Sequence, residues 1–194
     1  MTRRRDEYAT NFWGGGGGGG SIVAPAGMYF YSFGIMNPTL PPSATNYQSP
    51  TPNRVFAIQF YQAFSIKLLT VSIGVGTASA GDSANMALYD ASGNLIVDSG
   101  PLSTTIGAGT RVTANINVSL SAGFPFFAWA ITSVTPSLGA ISTFGGGGAA
   151  AGVVQDPQSF FSSNSLAGGA MPLTLGTLTN IIGIVRVPAA LWKG

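Results

Sequence analysis

The sequence contains no cysteine and no histidine among its 194 residues. Their absence excludes disulfides, thiolate nucleophiles, the usual zinc ligand sets and histidine-dependent catalytic triads. Charged residues are also scarce, at 7% of the chain, against about 25% in an average protein. A surface so poor in charge consists largely of small polar and apolar groups, which favours contact with neighbouring molecules. We therefore expect a homo-oligomer or a larger assembly.

The few charges that are present form no basic surface. The net charge is +2, but residues 3–5 supply three of the eight positive charges, and from Trp13 onward five positive residues face four negative ones. That balance gives no surface for following a phosphate backbone. The longest apolar run, residues 124–131, is far shorter than the ~20 residues that cross a bilayer. We expect neither nucleic-acid binding nor membrane insertion.

The residues that are abundant alternate in the manner of β-strands. Residues 111–120, RVTANINVSL, alternate strictly between apolar and polar side chains, which is typical of a strand with one buried face. Residues 54–62, RVFAIQFYQ, are apolar on much of both faces. The strand after them shifts phase at Leu68 and Leu69, which predicts a bulge or a passage between sheets. The sequence predicts an all-β fold, an antiparallel, jelly-roll-like β-sandwich with an extended, irregular N-terminal arm.

Three segments are predicted along the chain: an arm at residues 1–52, the sandwich at 53–188 and a C-terminal tail at 189–194. Residues 14–20 are all glycine, and six prolines between residues 25 and 52 disfavour a helix or a central strand. Residues 179–188, TNIIGIVRVP, are predicted to form one closing strand. The glycine-rich segment 145–152 is predicted to be a surface loop.

The arm carries an apolar cluster that is unsuited to contact with water. Two alternatives are open: the cluster covers one end of its own sandwich, or it docks on a neighbouring subunit or another protein. The second alternative makes these residues a partner-binding surface. Its members are Trp13, Met28, Tyr29, Phe30, Tyr31, Phe33 and Met36.

The turn between two predicted strands, residues 90–94 (DASGN), places three oxygen-bearing side chains at alternate positions. A calcium loop needs six to eight oxygen ligands and a later carboxylate, and neither is evident here. A capped hairpin turn, with Gly93 at positive φ, is the favoured interpretation. The acids Asp82, Asp90, Asp98 and Asp156 suggest a glycosidase pair only weakly, because no aromatic and acidic cluster accompanies them. We predict no catalytic residue, no cofactor and no metal site.

Trp129 has two interpretations. Alternation places it on one face of a strand with Phe127, where the pair can form a platform for stacking a sugar ring. Packing in the sandwich core is the favoured alternative, since aromatic side chains dominate such interiors.

Residues 67–100, with the returning strand at 118–131, resemble a β-sandwich module of tailed-bacteriophage virion proteins. That module has a strand pair, a "gIYd..G.ll.dsG" hairpin and a "tL.pG.YwlAw" strand. The resemblance covers residues 53–135; the usual tyrosine of the last strand is phenylalanine here, and Pro125 interrupts it. The matching residues are Ala87, Leu88, Tyr89, Asp90, Gly93, Asp98, Gly100, Leu120, Gly123, Phe127, Ala128 and Trp129.

The resemblance implies a non-enzymatic structural protein of a virion, assembled in the host cytoplasm. One hypothesis is a capsid decoration (cement) protein, which stabilises the head by binding the major capsid protein through its sandwich and arm. The alternative is a tail-fibre or receptor-binding component, in contact with other tail proteins, in which the aromatic strand or the glycine-rich segment contacts host surface glycans. Fibres usually add long repeats, and the sequence shows none, which favours decoration.

Overall fold

The computed structural model describes residues 29–31, 45–49, 51–60, 62, 65–105, 110–142, 159–181, 186–188 and 190–193. These residues form fourteen β-strands, and they include no helix long and apolar enough to cross a membrane. The strands are β1 (Tyr29–Tyr31), β2 (Thr45–Gln48), β3 (Arg54–Gln59), β4 (Ile66–Thr77), β5 (Ser83–Tyr89), β6 (Leu95–Asp98), β7 (Leu102–Ser103), β8 (Arg111–Leu120), β9 (Phe126–Ile131), β10 (Ser137–Ser142), β11 (Ser159–Ser165), β12 (Leu178–Asn180), β13 (Arg186–Pro188) and β14 (Leu191–Lys193).

The strands form two antiparallel sheets that pack against each other. Sheet I has the order β1-β14-β4-β10-β13, with β2 paired to β10 and β8 paired to β4. Sheet II has the order β12-β11-β3-β9-β5-β6, with β7 paired to β5. The predicted all-β antiparallel sandwich is confirmed.

The main core lies between the two sheets. Sheet II contributes alternate residues of β3, β5 and β9, and sheet I contributes alternate residues of β4 with single residues of β8, β10 and β14. Trp129 of β9 lies at its centre, where its ring stacks on Phe56 at 5.7 Å and on Phe127 at 5.5 Å between ring centroids. The largest side chains buried there are Ile58, Ile66, Leu68, Ile73, Met86, Leu88, Phe127, Trp129, Ile131 and Leu138.

A second apolar cluster covers the outer face of sheet II. Residues 166–177, which we call the cover segment, bury Leu166, Met171 and Leu175 against that face. Because the sheet is then covered on both sides, its central strands β3, β5 and β9 are apolar on both faces. Arg54, at the start of β3, lies 3.6 Å above the ring of Phe161 in β11.

The phase shift at Leu68 and Leu69 is a β-bulge. Leu68 lies opposite Val118 and Val71 lies opposite Ala114. The two positions are three residues apart in β4 but four residues apart in β8. Asn117, within the longer stretch, has a φ of 51°. Asparagine tolerates this left-handed conformation better than most residues. The bulge is thus confirmed, with the extra residue in β8.

The segments outside the predicted sandwich boundaries also contribute strands to sheet I. In the predicted arm, β1 pairs with β14 and β2 pairs with β10, both at outer positions of the sheet. In the predicted tail, β14 pairs with β4, and Trp192 is only 3% exposed within the main core. The C-terminal residues are therefore part of the sandwich, because inward-facing Trp192 adds an aromatic side chain to its core.

The prediction of one closing strand over residues 179–188 is wrong. Two short strands lie there, and they belong to different sheets: β12 pairs with β11 in sheet II, whereas β13 pairs with β10 in sheet I. The glycine-rich segment 145–152 lies outside the described residues.

Candidate functional site

The carboxylate of Asp90 caps its own hairpin turn. One oxygen accepts hydrogen bonds from the backbone N–H groups of Ser92 (2.8 Å) and Asn94 (2.9 Å), and the other accepts from Nδ2 of Asn94 (3.0 Å). These bonds, led by the one from the Asn94 side chain, hold the pKa of Asp90 below its usual value. Gly93 has the expected positive φ, 81°. This geometry supports the capped-turn interpretation over a calcium loop.

Asp98 anchors the cover segment to the rest of sheet II. Its carboxylate accepts hydrogen bonds from the backbone N–H of Met171 (2.8 Å), from that of Gly100 (2.9 Å) and from Nδ2 of Asn85 (3.1 Å). The side chain of Asn85 is fully buried and also donates to the carbonyl oxygen of Gly169 at 3.0 Å. Asp98 and Asn85 therefore hold the cover segment in place.

Tyr89 adds another hydrogen bond to the cover segment. Its buried hydroxyl donates to the carbonyl oxygen of Pro172 at 2.8 Å. Burial, followed by the nearby charge of Asp98, raises the pKa of Tyr89 well above its usual value. The phenol is therefore held in its neutral, hydrogen-bonding form.

Asp82 joins two loops at one end of the sandwich. Its carboxylate accepts hydrogen bonds from the hydroxyls of Ser79 and Ser133, the second at 2.7 Å. The bond from Ser79, with that from Ser133 next, lowers the pKa of Asp82. The backbone carbonyl of Asp82 accepts from the hydroxyl of Thr104 at 2.9 Å.

The described acidic residues are thus all hydrogen-bonded within the fold. In the part of the chain that the structure describes, no group of three or more acidic side chains lies close enough to hold a metal ion. Asp156, the fourth candidate for a glycosidase pair, lies outside the described residues. The carboxylates of Asp82, Asp90 and Asp98 therefore have a structural role: their hydrogen bonds fix turns and hold the cover segment.

Trp129 is 0% exposed. A sugar ring has no access to it, because the side chain is fully buried in the main core, where its ring stacks on Phe56 and Phe127. The structure supports the alternative in which Trp129 belongs to the core, so the predicted glycan contact at this residue is corrected.

The predicted partner-binding residues of the arm are only partly described. Tyr29, Phe30 and Tyr31 form β1, opposite Lys193, Trp192 and Leu191 of the same chain. This pairing favours the alternative in which that part of the arm covers its own sandwich. Trp13, Met28, Phe33 and Met36 lie outside the described residues.

The longest sheet edge was not anticipated from sequence. β8 spans ten residues, and within the described ranges it pairs with β4 alone. Its outward-facing side chains, Thr113, Asn115, Asn117 and Ser119, are exposed and uncharged. The strand itself was predicted, but alternation along one segment does not tell an edge strand from an inner one.

Comparison of the chain with protein-family models, with curated proteins and with solved structures finds no match.

Proposed function

We propose that this chain is a non-enzymatic structural protein of a phage virion, and that it acts as a decoration protein on the head. The observation that carries the proposal is that the described carboxylates, those of Asp82, Asp90 and Asp98, serve the fold itself, through hydrogen bonds to turns and to the cover segment. The surface also carries very few charges. Such a protein works through contact area with partners.

The geometry of the resembling residues also supports the proposal. The hairpin β5–β6 and the returning strand β9 are neighbours in sheet II, where Leu88 lies opposite Phe127 and Ala87 lies opposite Ala128. The two separated parts of the motif therefore meet in one structural unit. The receptor-binding alternative loses one of its two predicted contacts, since Trp129 is buried; the other, the glycine-rich segment 145–152, lies outside the described residues.

The copy number of the chain per particle tests the proposal. Quantitative mass spectrometry of virions purified from the phage that encodes it should find on the order of hundreds of copies, as covering an icosahedral head requires. A few copies to some tens would instead support a tail location, and absence from purified particles would refute a virion role.

The contribution of the arm is tested separately by deleting residues 1–28. The deletion keeps β1 and its pairing with β14, so the sandwich should fold with an unchanged circular dichroism spectrum. Loss of incorporation into particles would assign head binding to the deleted segment. Normal incorporation would show that head binding does not need residues 1–28.

A further inference from the structure

The edges of the two sheets differ sharply in how well they are protected from pairing with another chain. In sheet II the edge strands are short: β12 has three residues, and β6 and β7 have four and two. Pro101 lies between β6 and β7, and proline cannot donate a backbone hydrogen bond. At the other side of sheet I, β1 and β2 have three and four residues. Short strands and prolines are the usual protection of sheet edges, and ten-residue β8 lacks both.

The backbone groups at the free side of β8 can be identified from its pairing with β4. The N–H of Val75 donates to the carbonyl oxygen of Thr110 at 2.9 Å, and Ile73 lies opposite Val112. Hydrogen-bonded and non-hydrogen-bonded pairs alternate along an antiparallel ladder. The N–H and C=O groups of Arg111, Thr113 and Asn115 therefore point away from β4.

The bulge limits the regular part of this edge to residues 111–115. Beyond it, Asn117 has a left-handed backbone, and a bulge interrupts the spacing that a further strand would need. The site available for strand addition is thus the first half of β8, which we call the open edge.

The side chains of the open edge suit a second copy of the same strand. Its one charged residue is Arg111, at the end of the strand. In antiparallel pairing about a two-fold axis at Thr113, Arg111 lies opposite Asn115 of the other copy, so the two arginines are far apart. On the inner face, half-buried Val112 then lies opposite Ala114, and the apolar row at the rim of the main core continues across the axis.

We propose that two copies of this chain associate through the open edge, with β8 of each copy paired antiparallel to β8 of the other. The two copies of sheet I then form one continuous sheet, in an isologous contact that closes on itself. The proposal rests on the proposed function, since it names a surface through which an assembly protein would associate. It is tested on purified protein, so its failure leaves the copy-number test of the virion role unaffected.

The test is sedimentation velocity of the full-length chain between about 1 and 500 µM, a range that covers weak dimers. Thr113→Pro removes an outward N–H and the hydroxyl that lies 2.7 Å from Oγ of Ser72. Thr113→Ala removes that hydroxyl but keeps the N–H, so it is the matched control. We expect the wild type to dimerise, Thr113→Pro to raise the dimer dissociation constant at least about tenfold, and Thr113→Ala to stay within about threefold of wild type. Asn115→Pro and Asn115→Ala repeat the comparison at a second outward N–H.

Single cysteines give a measurement that does not depend on the proline variants. Because the chain has no cysteine of its own, a disulfide-linked dimer reports one residue pair. Thr113→Cys should cross-link under mild oxidation, since in this pairing the two copies of residue 113 face each other at the axis with Cα atoms about 5.5 Å apart. Ala114→Cys should not, because residue 114 lies opposite residue 112 of the other copy and its own counterpart is too far away for a disulfide. Ser92→Cys, in the exposed turn at the other sheet, should form no disulfide-linked dimer.

Three results would overturn the proposal. One is a wild type that is monomeric throughout the concentration range with fast amide exchange at Thr113 and Asn115. Another is a monomer in which those amides are protected, because a segment of the same chain would then cover the edge. The third is a dimer that both proline variants leave intact and that Thr113→Cys does not trap as a disulfide, which would place the contact on another surface.

Discussion

Replacing Trp129 by alanine should cost a large part of the stability of the fold. The side chain is 0% exposed, and its ring stacks on Phe56 and Phe127 at 5.7 and 5.5 Å. Loss of a buried aromatic side chain costs about 3–5 kcal/mol, and each lost ring pair adds about 0.5–1.5 kcal/mol. We expect a loss of roughly 5 kcal/mol, against a total stability of about 5–15 kcal/mol for a domain.

Thermal unfolding followed by circular dichroism measures this cost. For a chain of this size each kcal/mol shifts Tm by about 2–4 °C, so Trp129→Ala should lower Tm by roughly 10–20 °C. The matched control is Leu173→Ala, since Leu173 is 80% exposed and its loss should change Tm by less than about 2 °C. A Trp129→Ala variant that melts with the wild type yet loses binding to a polysaccharide would refute the core assignment.

Three other substitutions test the turns and the cover segment. Gly93→Ala should destabilise the fold by about 1–2 kcal/mol, because φ is 81° there, whereas Gly74→Ala, with free space around it, should be nearly neutral; equal denaturation midpoints would contradict the strain argument. The hydrogen bond from the Asn94 side chain lowers the pKa of Asp90 from its usual 3.8. The ionised Asp90 therefore stabilises the folded state above pH 3.8, and this contribution is lost as pH falls through the folded-state pKa. Asp90→Asn should therefore melt lower than wild type at neutral pH and lose less Tm on acidification below about pH 4, and parallel Tm profiles would contradict this. Asp98→Ala leaves several N–H donors unpaired and should cost about 2–4 kcal/mol in urea unfolding, with faster proteolysis of the cover segment; unchanged proteolysis would show that other contacts hold that segment.

Local pattern was enough to predict much of this fold. The hairpin turn at Gly93, the alternation of β8 and the phase shift at Leu68 all depend on residues close in sequence, and the structure has each of them. Contacts across the chain were beyond such reasoning. Asn85 and Asp98 meet residues of the cover segment 84 and 73 positions away, and no periodicity marks such partners.

The edge position of β8 escaped prediction for a related reason. Alternation reports which face of a strand is buried, whereas an edge is defined by which strands pair beside it. Trp192 shows the same limit. It is buried in the main core, but the short segment around it has no alternating pattern that would predict this. The sequence therefore predicts the strand β8 but does not predict that its open edge is free of a neighbouring strand in the described part of the chain.

The cover segment also bears on how the protein opens before it unfolds. It is held to sheet II by three apolar side chains, by side-chain hydrogen bonds of Asn85, Tyr89 and Asp98, and by backbone hydrogen bonds at Leu173 and Leu175. Its apolar cluster is smaller than the main core. Such a unit can detach on its own while the rest of the domain persists. Detachment would uncover the apolar outer face of three central strands, a surface prone to self-association. The shelf life of the protein in solution should then follow the opening rate of the cover segment rather than the global stability of the sandwich.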